Sequence, residues 1–234
     1  MNFPFMKNEE IDSAANRLRF EALGTRAREV FIDLDAIVYD YLCERDALSV
    51  DDEAELPDED GDEVLGKTFI KPGRILVNRR LKTSRDQGRY RFTLAHEIGH
   101  WILHRPLILA VIDQPSLFSE LAGVESLTTL NRSVTSPRPP RHEIQANRFA
   151  SGLLIDHDLL RDHFRARFGA GGGAGSSSSS ATELPPRALA RHLASQAIGP
   201  LPPLAGVFGV SVEAMAIALE SRGFLPGETP LFGS

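Results

Sequence analysis

Apolar positions recur at helical spacing over residues 8–46, where Ile11, Ala14, Ala15, Leu18 and Leu23 fall together. Within that stretch "DLDAIVYDYLC" opens at Asp33, a residue type that caps helix N-termini. The pattern changes at "KTFIKPGRILVN", which reads as two short strands joined by a tight turn at Lys71-Pro72-Gly73. Thr83 or Ser84 can open the next helix, which carries "YRFTLAHEIGHWILH", and Pro106 is expected to stop it just past His104. Residues 105–141 are rich in proline and polar residues and predict a long, partly irregular connection. Helical spacing resumes at Arg141 with "RHEIQANRFASGLLI", and again after Asp156 with "HDLLRDHFRARF". The tract "GAGGGAGSSSSS" offers nothing to bury, so it predicts a flexible linker or loop insertion. Two or three short helices are expected after it. Mostly helices with a few short strands predict an α+β fold with a small mixed or antiparallel sheet. The expected division is a main domain over 1–168, the Gly/Ser-rich segment over 169–183 and a C-terminal helical segment over 184–234.

Composition bounds the function classes. The chain has 234 residues, 42% hydrophobic and 25% charged, enough for a real core without disulfides. Its single cysteine, Cys43, forms no internal bridge, which fits a reducing cytosol. No apolar run approaches the roughly 20 residues that span a bilayer. The first residues carry charges where a signal peptide needs its apolar region, so a cytoplasmic protein is expected. The net charge of −6 argues against a general nucleic-acid binder. Charge is unevenly placed, however. "DDEAELPDEDGDE" (51–63) is acidic and is expected to be a solvated, mobile loop. The stretch from Lys67 to Arg91 is basic, and reads either as a solvated face or as a docking surface for an acidic partner.

Candidate chemistry is concentrated in "AHEIGHW". His96 and His100 lie one helical turn apart and can present two imidazoles to one metal ion. Glu97 is turned about 100° round the helix, beside the metal rather than on it, where a carboxylate can take a proton from water. Two such histidines, a third ligand and an open position make the usual hydrolytic zinc site. In a chain of this composition the motif is expected by chance only about 1–2% of the time. The bland alternative is a hydrogen-bonded cluster of core histidines. His104 continues the four-residue spacing, but about 12 Å of helix separates it from His96, too far to share an ion. It is expected to cap or hydrogen-bond instead. Gly99, between the two histidines, leaves room for another backbone. For the third ligand Glu143 leads, on a helical face with Asn147, Ala150 and Leu154, while Ala146 and Ala150 allow close packing on the histidine helix. His142 is its rival, and Asp113, Glu120 and Glu125 are weaker ones.

Together, "RFTLAHEIGHWILH" and "EIQANRFASGLL" resemble the ImmA/IrrE metallopeptidases in motif, spacing and order. The likeness runs roughly from Ile11 to Phe168. It implies a zincin-like fold and a Zn2+ cofactor, with His96, His100 and Glu143 as ligands and Glu97 as general base. It also implies a substrate class, helix-turn-helix repressors cleaved to release the genes they silence. A different class remains: a non-catalytic antirepressor or sensor that uses zinc structurally, against which the intact Glu97 argues. A third is direct DNA binding through "LAGVFGVSVEAMAIALESRGFL". Its only basic residue is Arg222, too few for phosphate contacts, so no nucleic acid is expected as partner.

Overall fold

The computed structural model describes residues 3–59, 61–82, 87–113, 126–131, 139–169 and 184–225. The chain divides into two compact units, Met1–Glu29 with Asp33–Leu153, and Val30–Ile32 with Leu154–Ser234.

The first unit is built of helices around a four-stranded mixed sheet. Helix α1 (Asn8–Leu23) buries Ile11, Ala15, Leu18 and Leu23, the apolar face that its spacing predicts. A widened helical stretch (Ala36–Leu42) runs into α2 (Cys43–Asp46), and the Asp33 carboxylate accepts from the Ala36 amide at 3.0 Å, the expected cap. Strands β1 (Ser49–Ala54), β2 (Glu63–Phe69), β3 (Arg74–Asn78) and β4 (Ser126–Asn131) lie in the order β1-β3-β2-β4. The β2–β3 hairpin is antiparallel, with Gly73 at φ 64° in its turn, and β1 joins β3 in parallel. Along β2, Val64, Gly66 and Thr68 are buried while their neighbours are half-buried, so one face of the strand is set towards the core.

A short helical turn, α3 (Arg79–Lys82), precedes α4 (Gln87–Gly99), whose expected opening at Thr83 or Ser84 lies outside the described residues. Pro106 does not stop this helix. The chain passes through a widened turn, His100–His104, in which the Arg105 amide reaches back to the His100 carbonyl, and continues as α5 (Arg105–Asp113). Proline is tolerated at the start of a new helical segment, where its missing N–H is not needed. The expected irregular connection also contains a strand, β4, antiparallel to β2. Helix α6 (Arg141–Leu154) crosses α4 at Gly99, where an added Cβ would lie 3.3 Å from the Ala146 backbone and 3.2 Å from the Phe149 ring. Glycine and alanine at that crossing let the two backbones approach, as their size predicts.

The acidic stretch is not the expected loop. Its first residues form β1, and its side chains meet the basic stretch: Asp51 with Arg74 at 2.9 Å, Asp52 and Glu53 with Lys82 at 3.0 and 2.8 Å, and Glu55 with Arg79 at 2.6 Å. Asp58 with Arg80, Glu59 with Lys67 and Glu63 with Arg89 continue the series. Opposite charges across neighbouring elements turn two runs that read as separate features into one pairing.

The second unit contains α7 (His157–Phe168), α8 (Pro186–Ser195), α9 (Leu204–Phe208) and α10 (Val212–Ser221). Asp156 caps α7 by accepting from the Asp158 and Leu159 amides. Within this unit the Arg167 guanidinium donates to the Pro202 carbonyl at 2.9 Å, and the Phe164 and Phe224 rings pack at a tilt with their centroids 5.1 Å apart. Helix α7 therefore groups with the C-terminal helices, whereas the sequence reading divides the chain after Phe168. Residues 170–183, the bulk of the Gly/Ser tract, lie outside the described residues, as do Glu120 and Glu125 and the side chain of Asp113. No described helix is long and apolar enough to cross a membrane.

Candidate metal centre

Helix α4 and the widened turn after it bring His96 and His100 to one face, and the first turn of α6 brings Glu143 opposite them. His96 Nε2 and His100 Nε2 are 3.0 Å apart, and Glu143 places one carboxylate oxygen 3.4 Å from His96 Nε2 and the other 3.1 Å from His100 Nε2. Among the described residues these three form the one group of metal-ligating side chains, and all are buried. Three ligands each about 2.0–2.1 Å from a tetrahedral zinc would stand roughly 3.3 Å apart. The observed separations match that spacing. Glu143 Oε1 is moreover buried and completes no hydrogen bond, although His100 Nε2 is 3.1 Å away. Two imidazole nitrogens and a carboxylate converging on one point at these separations suit a cation. The residues present therefore fit zinc.

His142 is placed differently. Its Nε2 lies 3.5 Å from Glu143 Oε1, but it is not in the ligating group, and its ring packs against Phe3 at 4.9 Å between centroids. His104 is also outside the group and lies buried beside His100.

Glu97 stands next to the three without joining them. Its side chain is fully buried, its Oε2 accepts from the Thr68 hydroxyl at 2.6 Å, and its Oε1 completes no hydrogen bond. Burial pushes this carboxyl up to about 7, against the opposing pull of His96 and the threonine hydroxyls of Thr129 and Thr68. Burial alone would likewise raise Glu143, but His100 and His96 hold it well below the usual carboxylate range. His100 is pushed down to about 4 and His104 to about 3, both by burial first. His96 is held up despite its burial by Glu143 beside it. One carboxylate is thus fixed as an anion facing two imidazoles, and another is poised to gain or lose a proton near neutrality.

Residues 54–169 match the family of the IrrE N-terminal-like domain, a peptidase family. The chain belongs to that family. A solved structure described as a Mycobacterium tuberculosis transcriptional regulator is also similar, at 18% identity and a TM-score of 0.48, covering 92% of this chain. The present chain spans about half of that one, 47%. No curated protein matches.

Several residues of this IrrE-like site escape a reading of the sequence motifs. Gly66 on β2 lies under the Glu97 side chain: a Cβ there would stand 2.8 Å from Cδ, 2.9 Å from Cγ and closer still to Oε1. An isolated glycine inside a strand pattern is a signal of close approach, and "VLGKTF" carried it. Thr68, two residues on, holds the carboxylate. Asn147 Oδ1 lies 2.9 Å from His96 Nδ1. Nothing in the sequence marks Phe3 and Pro4, which reach the site from far along the chain.

Proposed function

We propose that this chain is a zinc-dependent endopeptidase that cuts a regulatory protein, a helix-turn-helix repressor, and so derepresses genes. His96, His100 and Glu143 would hold the ion, and Glu97 would act as general base. When bound, zinc supplies Lewis acidity and brings water towards ionisation near neutral pH. The protein's own contribution is the rest. Glu97, buried and with one oxygen unpartnered, accepts a proton from the attacking water and can return it to the leaving amine. Thr68 fixes the carboxylate's orientation through Oε2, leaving Oε1 for the proton. Buried surroundings strengthen each of these interactions.

The observation that carries this reading is Glu97. A metal site that serves only structure needs no carboxylate beside it, and burying one with an unpartnered oxygen is costly. The alternative, a non-catalytic antirepressor or sensor, leaves that cost unexplained. The substrate class follows from the family resemblance. For an extended substrate, β4 offers a place: among the described residues it has β2 on one side and no strand on the other. Strand β3, "RILVN", is paired on both sides, by β1 and β2, and offers no such edge.

Metal content together with cleavage of candidate repressors encoded beside this gene tests the reading. Glu97→Gln should keep its zinc and lose cleavage by about 10²–10⁴-fold, since an amide cannot accept the proton. Zinc retained with no cleavage by the unaltered protein supports the sensor. Equal cleavage by the Gln variant refutes the role of Glu97.

A further inference from the structure

Behind His100, away from Glu143, a chain of polar groups runs to the N-terminal segment. His100 Nδ1 is 2.9 Å from His104 Nδ1. His104 Nε2 is 3.0 Å from Gln145 Oε1, and the Gln145 amide nitrogen donates to the Pro4 carbonyl at 3.0 Å. His104 is fully buried and Gln145 nearly so, so no exposed solvent competes for these groups.

The direction of every bond in this chain follows from its last member. A backbone carbonyl can only accept. The Gln145 group facing Pro4 is therefore the NH2, and the group facing His104 is the oxygen. An amide oxygen also only accepts, so His104 Nε2 carries the hydrogen. A neutral imidazole has one donor and one acceptor, which leaves His104 Nδ1 as an acceptor. His100 Nδ1 must then be the donor, and His100 Nε2 is left with its lone pair facing Glu143 and His96. That is the tautomer a metal ligand requires. On the other histidine, Asn147 Oδ1 faces His96 Nδ1 and selects the same tautomer in one step.

We infer that His104, with Gln145 and the Pro4 carbonyl behind it, is a positioning relay that fixes the tautomer and orientation of His100 and thereby sets metal affinity. The inference rests on the metal-site reading above and extends it to a residue that does not touch the ion. Helix α6 then supplies a ligand, Glu143, and the outer partners of both histidines, Gln145 and Asn147, on successive alternate residues. The widened turn His100–His104 belongs to the same arrangement, because it carries both ends of the imidazole pair.

His104 also packs, with its ring 4.9 Å from that of Phe3. Two substitutions separate packing from hydrogen bonding. His104→Phe keeps a ring against Phe3 and has no acceptor. His104→Asn loses the ring but places an amide oxygen where Nδ1 stands. Each full-length protein is checked for folding by circular dichroism, its zinc affinity is measured by competition with a chelator, and the His100 tautomer is read from 15N shifts of the metal-free form. We expect His100 to carry its proton on Nδ1 in the unaltered protein. His104→Phe should weaken zinc binding by about 10–100-fold, the usual effect of losing an outer partner, and release the tautomer, while His104→Asn stays within a few-fold. Tighter binding by the Phe variant than by the Asn variant would overturn the relay, as would a proton on Nε2 of His100 in the unaltered protein. If the unaltered protein binds no zinc, the metal-site reading falls, and the 15N measurement still decides the relay by itself.

Discussion

Gly66→Ala is the sharpest test of how the sheet shapes this site. A methyl group on β2 would stand 2.8 Å from Glu97 Cδ and 2.9 Å from Cγ, where carbon atoms ordinarily keep about 3.5–4.0 Å. The carboxylate must therefore withdraw by roughly 1 Å, since β2 is paired to β3 and β4 and cannot retreat. Such a withdrawal pulls Oε2 from the Thr68 hydroxyl, now 2.6 Å away. A displacement of about 1 Å in a catalytic group costs on the order of 10²-fold in rate. Overpacking a filled core costs about 1–3 kcal/mol, and a strand glycine replaced by alanine recovers about 0.5–1 of that through the unfolded chain. Destabilisation should accordingly be small, with a Tm lower by several degrees at most. The residues proposed to hold zinc, His96, His100 and Glu143, are untouched. The expected signature is full metal content, a Tm lowered by several degrees at most and a turnover number reduced about 100-fold on the proposed repressor substrate. Unchanged turnover would refute the reasoning, because it would mean that Glu97 need not sit where the structure puts it. Loss of zinc would refute it differently, by showing that the sheet shapes the ligand set as well.

Glu143→Ala should lose zinc on dialysis while His142→Ala keeps it, since only Glu143 stands with the two histidines; the reverse pattern would transfer the ligand role to His142. In metal-free protein Glu97, at about 7 when folded against 4.5 ordinarily, favours the folded state fully below pH 4.5 and loses that contribution as pH rises through 7. Glu97→Gln should therefore gain stability relative to the unaltered protein by up to about 3 kcal/mol between those limits; a difference that stays flat in urea melts from pH 5 to 8 sinks the argument. Deleting 184–234 removes the Pro202 carbonyl from Arg167 and the Phe224 ring from Phe164, so α7 should melt, and a far-ultraviolet spectrum with α7 intact would show that these contacts do not hold it.

Much of this was legible beforehand, and the reason is local. His96, Glu97 and His100 sit four residues or fewer apart, and helical geometry alone assembles them. Glu143 needed a second helix, whose small residues Ala146 and Ala150 announced close packing. What escaped was long-range or depended on pairing. The acidic run after Ser49 looks unable to fold because its partners, from Lys67 to Arg89, are in another element. Strand β4 is six residues long, in a stretch dominated by polar and proline residues, and only its alternation (Leu127 and Thr129 buried) marks it. Pro106 reads as a stop in any regular helix; a widened turn just before it makes it a start. Composition places a division at the Gly/Ser tract, and the grouping of α7 with the C-terminal helices rests on contacts such as Arg167 with the Pro202 carbonyl, which composition does not encode.

The cost of the site and the economy of the surface make a consistent contrast. On the surface, nearly every charge of the acidic run meets an opposite charge, although such exposed pairs contribute little each. Inside, where an unpaired charge is expensive, Glu97 and Glu143 each keep a buried oxygen without a hydrogen bond. A fold that neutralises cheap charges and leaves costly ones open is not being optimised for stability at those two positions. The helix crossing at Gly99 and Ala146 and the strand glycine at Gly66 hold the two carboxylates in place against that cost. The polar chain from His100 through His104 to Pro4 is, by contrast, satisfied at every step. The ligand atoms of His96, His100 and Glu143 converge on one point, which is where a metal ion would complete them, and Glu97 stands against β2 beside that group.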